Sequence, residues 1–141
     1  MQKIAIVGGS LQGIEVTYLA HKAGYEVLLL DKQREVPAFN LADKTMICDI
    51  VKEKEKFKSR LADIDLILPT TENDAALQTL EEIDSKIDIP ILFDWAAYQI
   101  TNSKEESKKL FTEHDIPQAN SWPKADFPVI IKPISASGSE E

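Results

Sequence analysis

The sequence predicts an α/β fold: a doubly wound parallel sheet over residues 1–101, followed by the beginning of a second domain over residues 102–141. Three observations predict it. Short apolar runs alternate with amphipathic ones, the pattern of parallel strands joined by crossover helices. The first run, Ile4-Ala5-Ile6-Val7, is apolar at every position, as a strand covered on both faces must be. A glycine-rich turn, Gly8-Gly9-Ser10-Leu11-Gln12-Gly13, then leads from that strand into a helix.

The elements follow in order. After the first strand, Ile14, Tyr18 and Leu19 recur at helical spacing, and Gly24 stands where a helix terminates. Glu26-Val27-Leu28-Leu29-Leu30 is the second strand, ending at Asp31. Lys44-Thr45-Met46-Ile47-Cys48 is a weaker third strand, and Glu53 to Leu61 a charged surface helix. Asp65-Leu66-Ile67-Leu68 is the fourth strand, closed by Pro69. Asn73 to Lys86 reads as a helix with Ala76, Leu77, Leu80 and Ile83 inside, capped by Thr71 with Asp74. Pro90-Ile91-Leu92-Phe93 is the fifth strand. Beyond it the rhythm changes. Ser103-Lys104-Glu105-Glu106 is a capping box, with the Glu106 carboxylate reaching back, and Lys109 pairs with Glu105 one turn on. That helix ends near His114. Pro117, Pro123 and Pro128 punctuate an irregular stretch before a strand, Val129-Ile130-Ile131-Lys132-Pro133, and a small-residue loop, Ser135-Ala136-Ser137-Gly138-Ser139. A final strand with no hairpin partner implies a piece of a longer protein.

Composition narrows the function. The chain has 141 residues, 16 basic against 24 acidic, for a net charge of −8. This balance argues against generic nucleic-acid binding, since few cations would replace phosphate counterions. The lone Cys48 excludes a disulfide framework and a cysteine-based zinc site. The N-terminal apolar run is too short for a signal peptide or membrane span. A cytoplasmic protein handling small molecules is expected, without nucleic-acid or membrane partners. His21 and His114 lie far apart in sequence and are expected as surface residues. The Lys52-to-Lys58 run is expected as a solvated helix face.

The loop after the first strand carries three readings. A nucleotide-triphosphate P-loop needs Lys and Ser or Thr after its last glycine; Ile14-Glu15 follows Gly13, so that reading fails. A dinucleotide site needs glycine where Ser10 stands, although Asp31 occupies the place of a ribose-binding acid. The glycines also suit a tight turn with no ligand. The third reading is a substrate pocket at the carboxyl ends of the strands, where open α/β sheets bind ligands. Its candidate residues are Ser10, Leu11, Gln12, Asp31, Glu72 and Asn73. Glu72 and Asn73 would meet a substrate ammonium with charge and amide hydrogen bonds, and Asp31 either meets an amine or caps a turn.

Together, the first domain, Ser103-Lys104…Lys108-Lys109-Leu110-Phe111…Ile116-Pro117, Pro128-Val129-Ile130-Ile131-Lys132-Pro133 and the Ser/Gly loop resemble the start of an ATP-grasp ligase. Leu30-Asp31-Lys32, Ala42-Asp43 and Glu72-Asn73 also resemble the branch containing the purine-synthesis carboxylase ATPase subunit and carbamoyl-phosphate synthetase. The likeness is nearest to the ligases of pyrrolysine biosynthesis, on Val7-Gly8-Gly9-Ser10-Leu11-Gln12-Gly13, Leu68-Pro69…Glu72-Asn73 and Leu92-Phe93-Asp94-Trp95…Tyr98-Gln99-Ile100.

The resemblance implies a Rossmann-like pre-ATP-grasp domain without a dinucleotide, then part of a two-piece ATP clamp. It implies ATP as cofactor, with Lys104, Lys132, Ser135, Ser137, Gly138 and Ser139 at the nucleotide, and Mg²⁺ held by groups beyond this chain. It implies an amide-forming reaction through an acyl phosphate, joining 3-methyl-D-ornithine to the side-chain amine of L-lysine. Homodimers are common in the superfamily. The fragment alone is expected to be inactive. The alternatives are a purine- or carbamoyl-phosphate-type ATP-grasp ligase, and a non-catalytic, nicotinamide-binding or nucleotide-sensing regulatory Rossmann domain.

Overall fold

Strand β1 (Lys3–Val7) is buried at Ile4, Ala5, Ile6 and Val7, because helices cover both of its faces. The structure, a computed structural model, describes residues 1–120, 122–131, 133 and 134. β2 (Glu26–Asp31) and β4 (Leu66–Pro69) flank β1, both parallel to it, with Ile4 beside Val27 and Leu66. β3 (Lys44–Ile47) pairs with β2, so the sheet order is β3-β2-β1-β4.

The connections divide between the faces. Helix α1 (Leu11–Lys22) and the 3-10 turn Pro37–Asn40 cover Ile4, Ile6, Val27 and Leu29. The alternate strand residues, Ala5, Val7, Leu30 and Ile67, point the other way. Strands are added outward from β1 through β2 to β3, and the next, β4, is added on the other side of β1. Right-handed crossovers therefore place α2 (Lys54–Lys58) and α3 (Asp74–Asp84) on that second face. Phe57, Leu77, Leu80 and Ile83 are the buried apolar residues these helices supply. Each such side chain contributes about 1.5–3 kcal/mol by leaving water.

Several expectations need correction. On α1 the buried residues are Gly13, Thr17 and Ala20, while Tyr18 and Leu19 are more than half exposed. Small residues occupy the line of closest approach, and Ile14 and Val16 pack against the same core half-buried on either side of it. The fifth strand is reduced to one bridge, Ile67 beside Ile91. Ile67 donates to the Pro90 carbonyl and Leu92 donates to Ile67, but the next rung needs an N–H from Pro69, which has none. Helix α2 begins at Lys54 and ends at Lys58, shorter than expected, because Arg60, Leu61 and Ile64 close successive tight turns.

The chain forms two compact units, Met1–Phe93 and a second beginning at Asp94, against an expected boundary at residues 101 and 102. In the second unit α4 (Trp95–Thr101) is capped by Asp94, which accepts from the Ala97 N–H. α5 (Lys104–Glu113) is capped by Ser103, which accepts from Glu106 at 3.2 Å. The reciprocal half of the capping box is replaced. Glu106 binds Lys109 at 2.6 Å, a shorter pair than Lys109 with Glu105 at 3.7 Å. Residues 129–131 form no strand, and Ile130 and Ile131 are exposed, with no neighbouring strand among the described residues to pair them. No helix of the described residues is long and apolar enough to cross a membrane.

Candidate functional site

The β1–α1 loop is built by close approach. Gly8 has φ +119°, and a Cβ there would stand 2.9 Å from the Thr70 carbonyl carbon. At Gly13 a Cβ would stand 2.3 Å from the Gly8 carbonyl oxygen, so the first turn of α1 rests directly on the loop. Thr70, just past β4, donates its hydroxyl to the Gly8 carbonyl at 2.7 Å, and its N–H donates to Val7. Two strand ends are thereby clamped where the sheet order reverses, the place at which open α/β sheets bind ligands.

Asp31 completes the clamp from the end of β2. One carboxylate oxygen accepts the Gly9 N–H and the other accepts the Gln33 N–H, both at 2.8 Å. This acid is committed to backbone amides, which favours the turn-forming role over recognition of a ribose. Ser10 is the N-cap of α1 by position, yet its side chain makes no cap hydrogen bond. The leading amides of that helix keep the partial positive charge of a helix start.

A crevice of about 370 Å³ opens beside this loop, within the first unit. Its walls are the ends of β1 and β2, the segment after β3, and the N-terminus of α3. Of the candidate residues, Ser10, Asp31 and Asn73 line it. Gln12 and Glu72 lie outside the lining but meet each other: the Gln12 amide donates to Glu72 at 3.3 Å, joining the first turn of α1 to the segment after β4. Leu11, also outside it, is exposed. Asn73 is the cap of α3, accepting from the Ala76 N–H at 3.0 Å. Thr71 instead accepts the N–H of Asn73, so the expected Thr71–Asp74 cap is shifted along by two residues. The amide oxygen of Asn73 is therefore engaged by its own helix.

The wall after β3 went unrecognised in the sequence. Cys48, Asp49, Ile50, Val51 and Lys52 line the crevice opposite Thr71, Asn73 and Ala76. Lys52 is solvated as expected, but it lies on this wall ahead of α2 and not on the helix. The rule that ligands gather beyond strand carboxyl ends applies to β3 as much as to β1, and that was the signal available. Burial pushes the Cys48 thiol up from its ordinary range, with Glu53 adding to the effect. A neutral, buried thiol suits the floor of the crevice.

Lys104 is the exposed first residue of α5, and its N–H donates to the Ile134 carbonyl at 3.0 Å. Lys132, Ser135, Ser137, Gly138 and Ser139 lie outside the described residues. His21, expected only as a surface residue, is exposed but meets the Asp43 carboxylate at 2.9 Å. Among the described residues no group of three or more His, Cys, Asp or Glu side chains stands ready for a metal ion.

The chain is similar over nearly its whole length to curated ligases. It is 38% identical, over 139 residues, to the 3-methyl-D-ornithine–L-lysine ligase of Methanosarcina barkeri, covering 99% of this chain and 38% of that protein. It is 36% identical to the ligase of the same name from Methanosarcina mazei, covering 99% and 37%. The chain thus spans under two fifths of the length of these relatives. Among solved structures, the N5-carboxyaminoimidazole ribonucleotide synthetase of Thermotoga maritima superposes with a TM-score of 0.67 at 25% identity, over 85% of this chain and 32% of that one. An ADP complex of the same kind of synthetase gives 0.70 at 17% identity, over 84% and 30%, a likeness of fold. The glycine-clamped loop and the parallel sheet fall within residues 4–92, which match the PylC-like N-terminal domain. The chain belongs to that family.

Proposed function

We propose that this chain is the N-terminal, substrate-side part of an ATP-grasp carboxylate–amine ligase of pyrrolysine biosynthesis. Its full-length protein would join 3-methyl-D-ornithine to the side-chain amine of L-lysine. The observation that carries this reading is the end-to-end similarity to ligases of that name, at 38% identity over 99% of the chain. The crevice adds physical support. At about 370 Å³ it lies at the small end of the range for ligand pockets, roughly 300–1,000 Å³, and suits an amino acid better than a dinucleotide.

The chemistry explains the division of labour. A carboxylate is a poor acyl donor. One carboxylate oxygen attacks the γ-phosphorus of ATP and ADP leaves; the amine nitrogen then attacks the acyl carbon, phosphate leaves, and the nitrogen loses a proton. The protein must position the groups and keep water from the acyl phosphate. In this reading Lys104 and Lys132 meet the nucleotide, and Ser135, Ser137, Gly138 and Ser139 offer backbone amides to its phosphates. Mg²⁺, when bound with ATP, neutralises phosphate charge, and no ligand for it is assigned among the described residues. Ser10, Leu11, Gln12, Asp31, Glu72 and Asn73 form the rim at which substrate enters, with Glu72 oriented by Gln12.

The test uses the full-length protein with ATP, Mg²⁺, L-lysine and D-ornithine, the last standing in for its methylated form. Mass spectrometry is expected to find the ornithyl-lysine isopeptide together with ADP. ATP consumption only with another carboxylate would move the protein to a different branch, such as purine synthesis. Heat protection by NAD(H), with no ATP consumed by any carboxylate, would replace the reading by the regulatory one.

A further inference from the structure

Helix α1 carries its largest apolar residues on its outward side. Gly13, Thr17 and Ala20 face the sheet, while Leu11, Tyr18 and Leu19 are 74%, 56% and 55% exposed. Leu11, Glu15, Tyr18 and Lys22 follow one another at intervals of four, three and four residues, the spacing of a single helix face, with Leu19 on its flank. Glu15 and Lys22 are exposed, and neither has an ion pair among the described residues. The Lys22 ammonium lies 5.4 Å from the centre of the Tyr18 ring, drawn back along the stripe. Apolar side chains gathered on one exposed face mark a surface that meets another surface.

We propose that this face of α1 docks a second copy of the chain, the two helices lying antiparallel across a two-fold axis between Tyr18 and Leu19. The order of the charges selects that partner. Glu15 and Lys22 stand equally far, about one turn, to either side of the axis. The two-fold therefore sets Glu15 of each copy against Lys22 of the other, and both ion pairs form at once. A parallel arrangement would bring each charge against its like, so the same two residues also exclude it. Tyr18 and Leu19 of both copies meet at the axis. Leu11, two turns away, lies over the Ala23-Gly24 turn of the other copy, where a Cβ added at Gly24 would meet nothing within 4 Å. The 12 residues of α1 span about 18 Å, so the contact falls below the roughly 1,200 Å² of a standard interface and the pairing is weak and reversible.

The experiment is sedimentation velocity of the full-length protein over chain concentrations from about 1 μM to about 1 mM. A monomer–dimer equilibrium is expected within that range. Glu15→Lys turns both cross-axis pairs into Lys–Lys contacts, and Lys22→Glu turns both into Glu–Glu contacts. Each should weaken association about tenfold or more. An equimolar mixture of the two variants should dimerise again, because every contact between unlike copies is then Lys against Glu. The protein carrying both substitutions should recover the parent's association as well. Leu19→Ser, at the axis, should weaken it without any change of charge. All of these positions are exposed, so the melting temperature of each variant at dilution is expected to match the parent's. The mixture reports on pairing alone, since both of its components are already substituted. A monomer at every concentration would overturn the proposal, whether the remainder of the longer chain or water covers the face. A dimer indifferent to the charge reversals, or a mixture that associates no better than its separate components, would overturn it too.

Discussion

Asp43 is the residue whose electrostatics are most sharply defined. Its carboxylate accepts the Val27 N–H at 2.8 Å at the start of β2 and meets His21 at the end of α1. The Val27 hydrogen bond first, and His21 second, hold the carboxyl below its ordinary value near 3.8. The folded chain therefore binds this proton more weakly than the unfolded chain. The resulting stability is present above the unfolded value and disappears as pH falls through the lower folded value. Asp43→Asn keeps an oxygen for Val27 and removes the charge. Because the side chain is 44% exposed, the expected loss at neutral pH is modest, about 0.5–1 kcal/mol. Urea unfolding at a series of pH values should show the gap between the two proteins narrowing toward acid. A gap independent of pH would show that the charge of Asp43 is not what stabilises the fold.

At the scale of elements, the N-terminus of α3 joins stability to the site. Asn73 both caps that helix and lines the crevice, so Asn73→Ala removes a cap and alters a wall together. The expected cost is about 1 kcal/mol in chemical denaturation, and Asn73→Ser or Asn73→Asp should restore most of it. Recovery of stability by Asp without recovery of substrate binding would separate the wall from the cap. These elements also show what was legible in the sequence. The four parallel strands and their helices were readable because buried β1 and β2 are continuous apolar runs and α3 places Leu77, Leu80 and Ile83 on one face. The β1–α1 loop was readable because its glycines have few other uses. The inner face of α1 was legible only at Ile14, which packs on the core, since Gly13, Thr17 and Ala20 carry almost no hydrophobic signal while the exposed Tyr18 and Leu19 carry a strong one. The missing fifth strand turned on one absent N–H at Pro69. The crevice wall from Cys48 to Lys52 has no motif at all; only the folded topology brings it opposite Thr71 and Asn73.

For the molecule as a whole, the division at Phe93 has a thermodynamic meaning that the placement of aromatic residues makes measurable. Both tryptophans, Trp95 and Trp122, belong to the second unit, and Trp122 sits against Phe127 with ring centroids 5.6 Å apart. Tryptophan fluorescence therefore reports on the second unit, while most of the strand signal in circular dichroism comes from the first. Phe57 is wholly buried in the core of the first unit. Phe57→Ala should cost that unit about 3–5 kcal/mol, a large part of the roughly 5–15 kcal/mol that stabilises a typical domain. If the units fold on their own cores, the substitution lowers the circular-dichroism midpoint and leaves the fluorescence midpoint where it was. If both midpoints fall together, the first unit supports the second, and the 141 residues unfold as one cooperative body. The outcome also bears on the crevice, which is walled entirely by residues of the first unit. With independent units, Phe57→Ala should abolish amino-acid binding at temperatures where the tryptophan signal is still that of the folded chain.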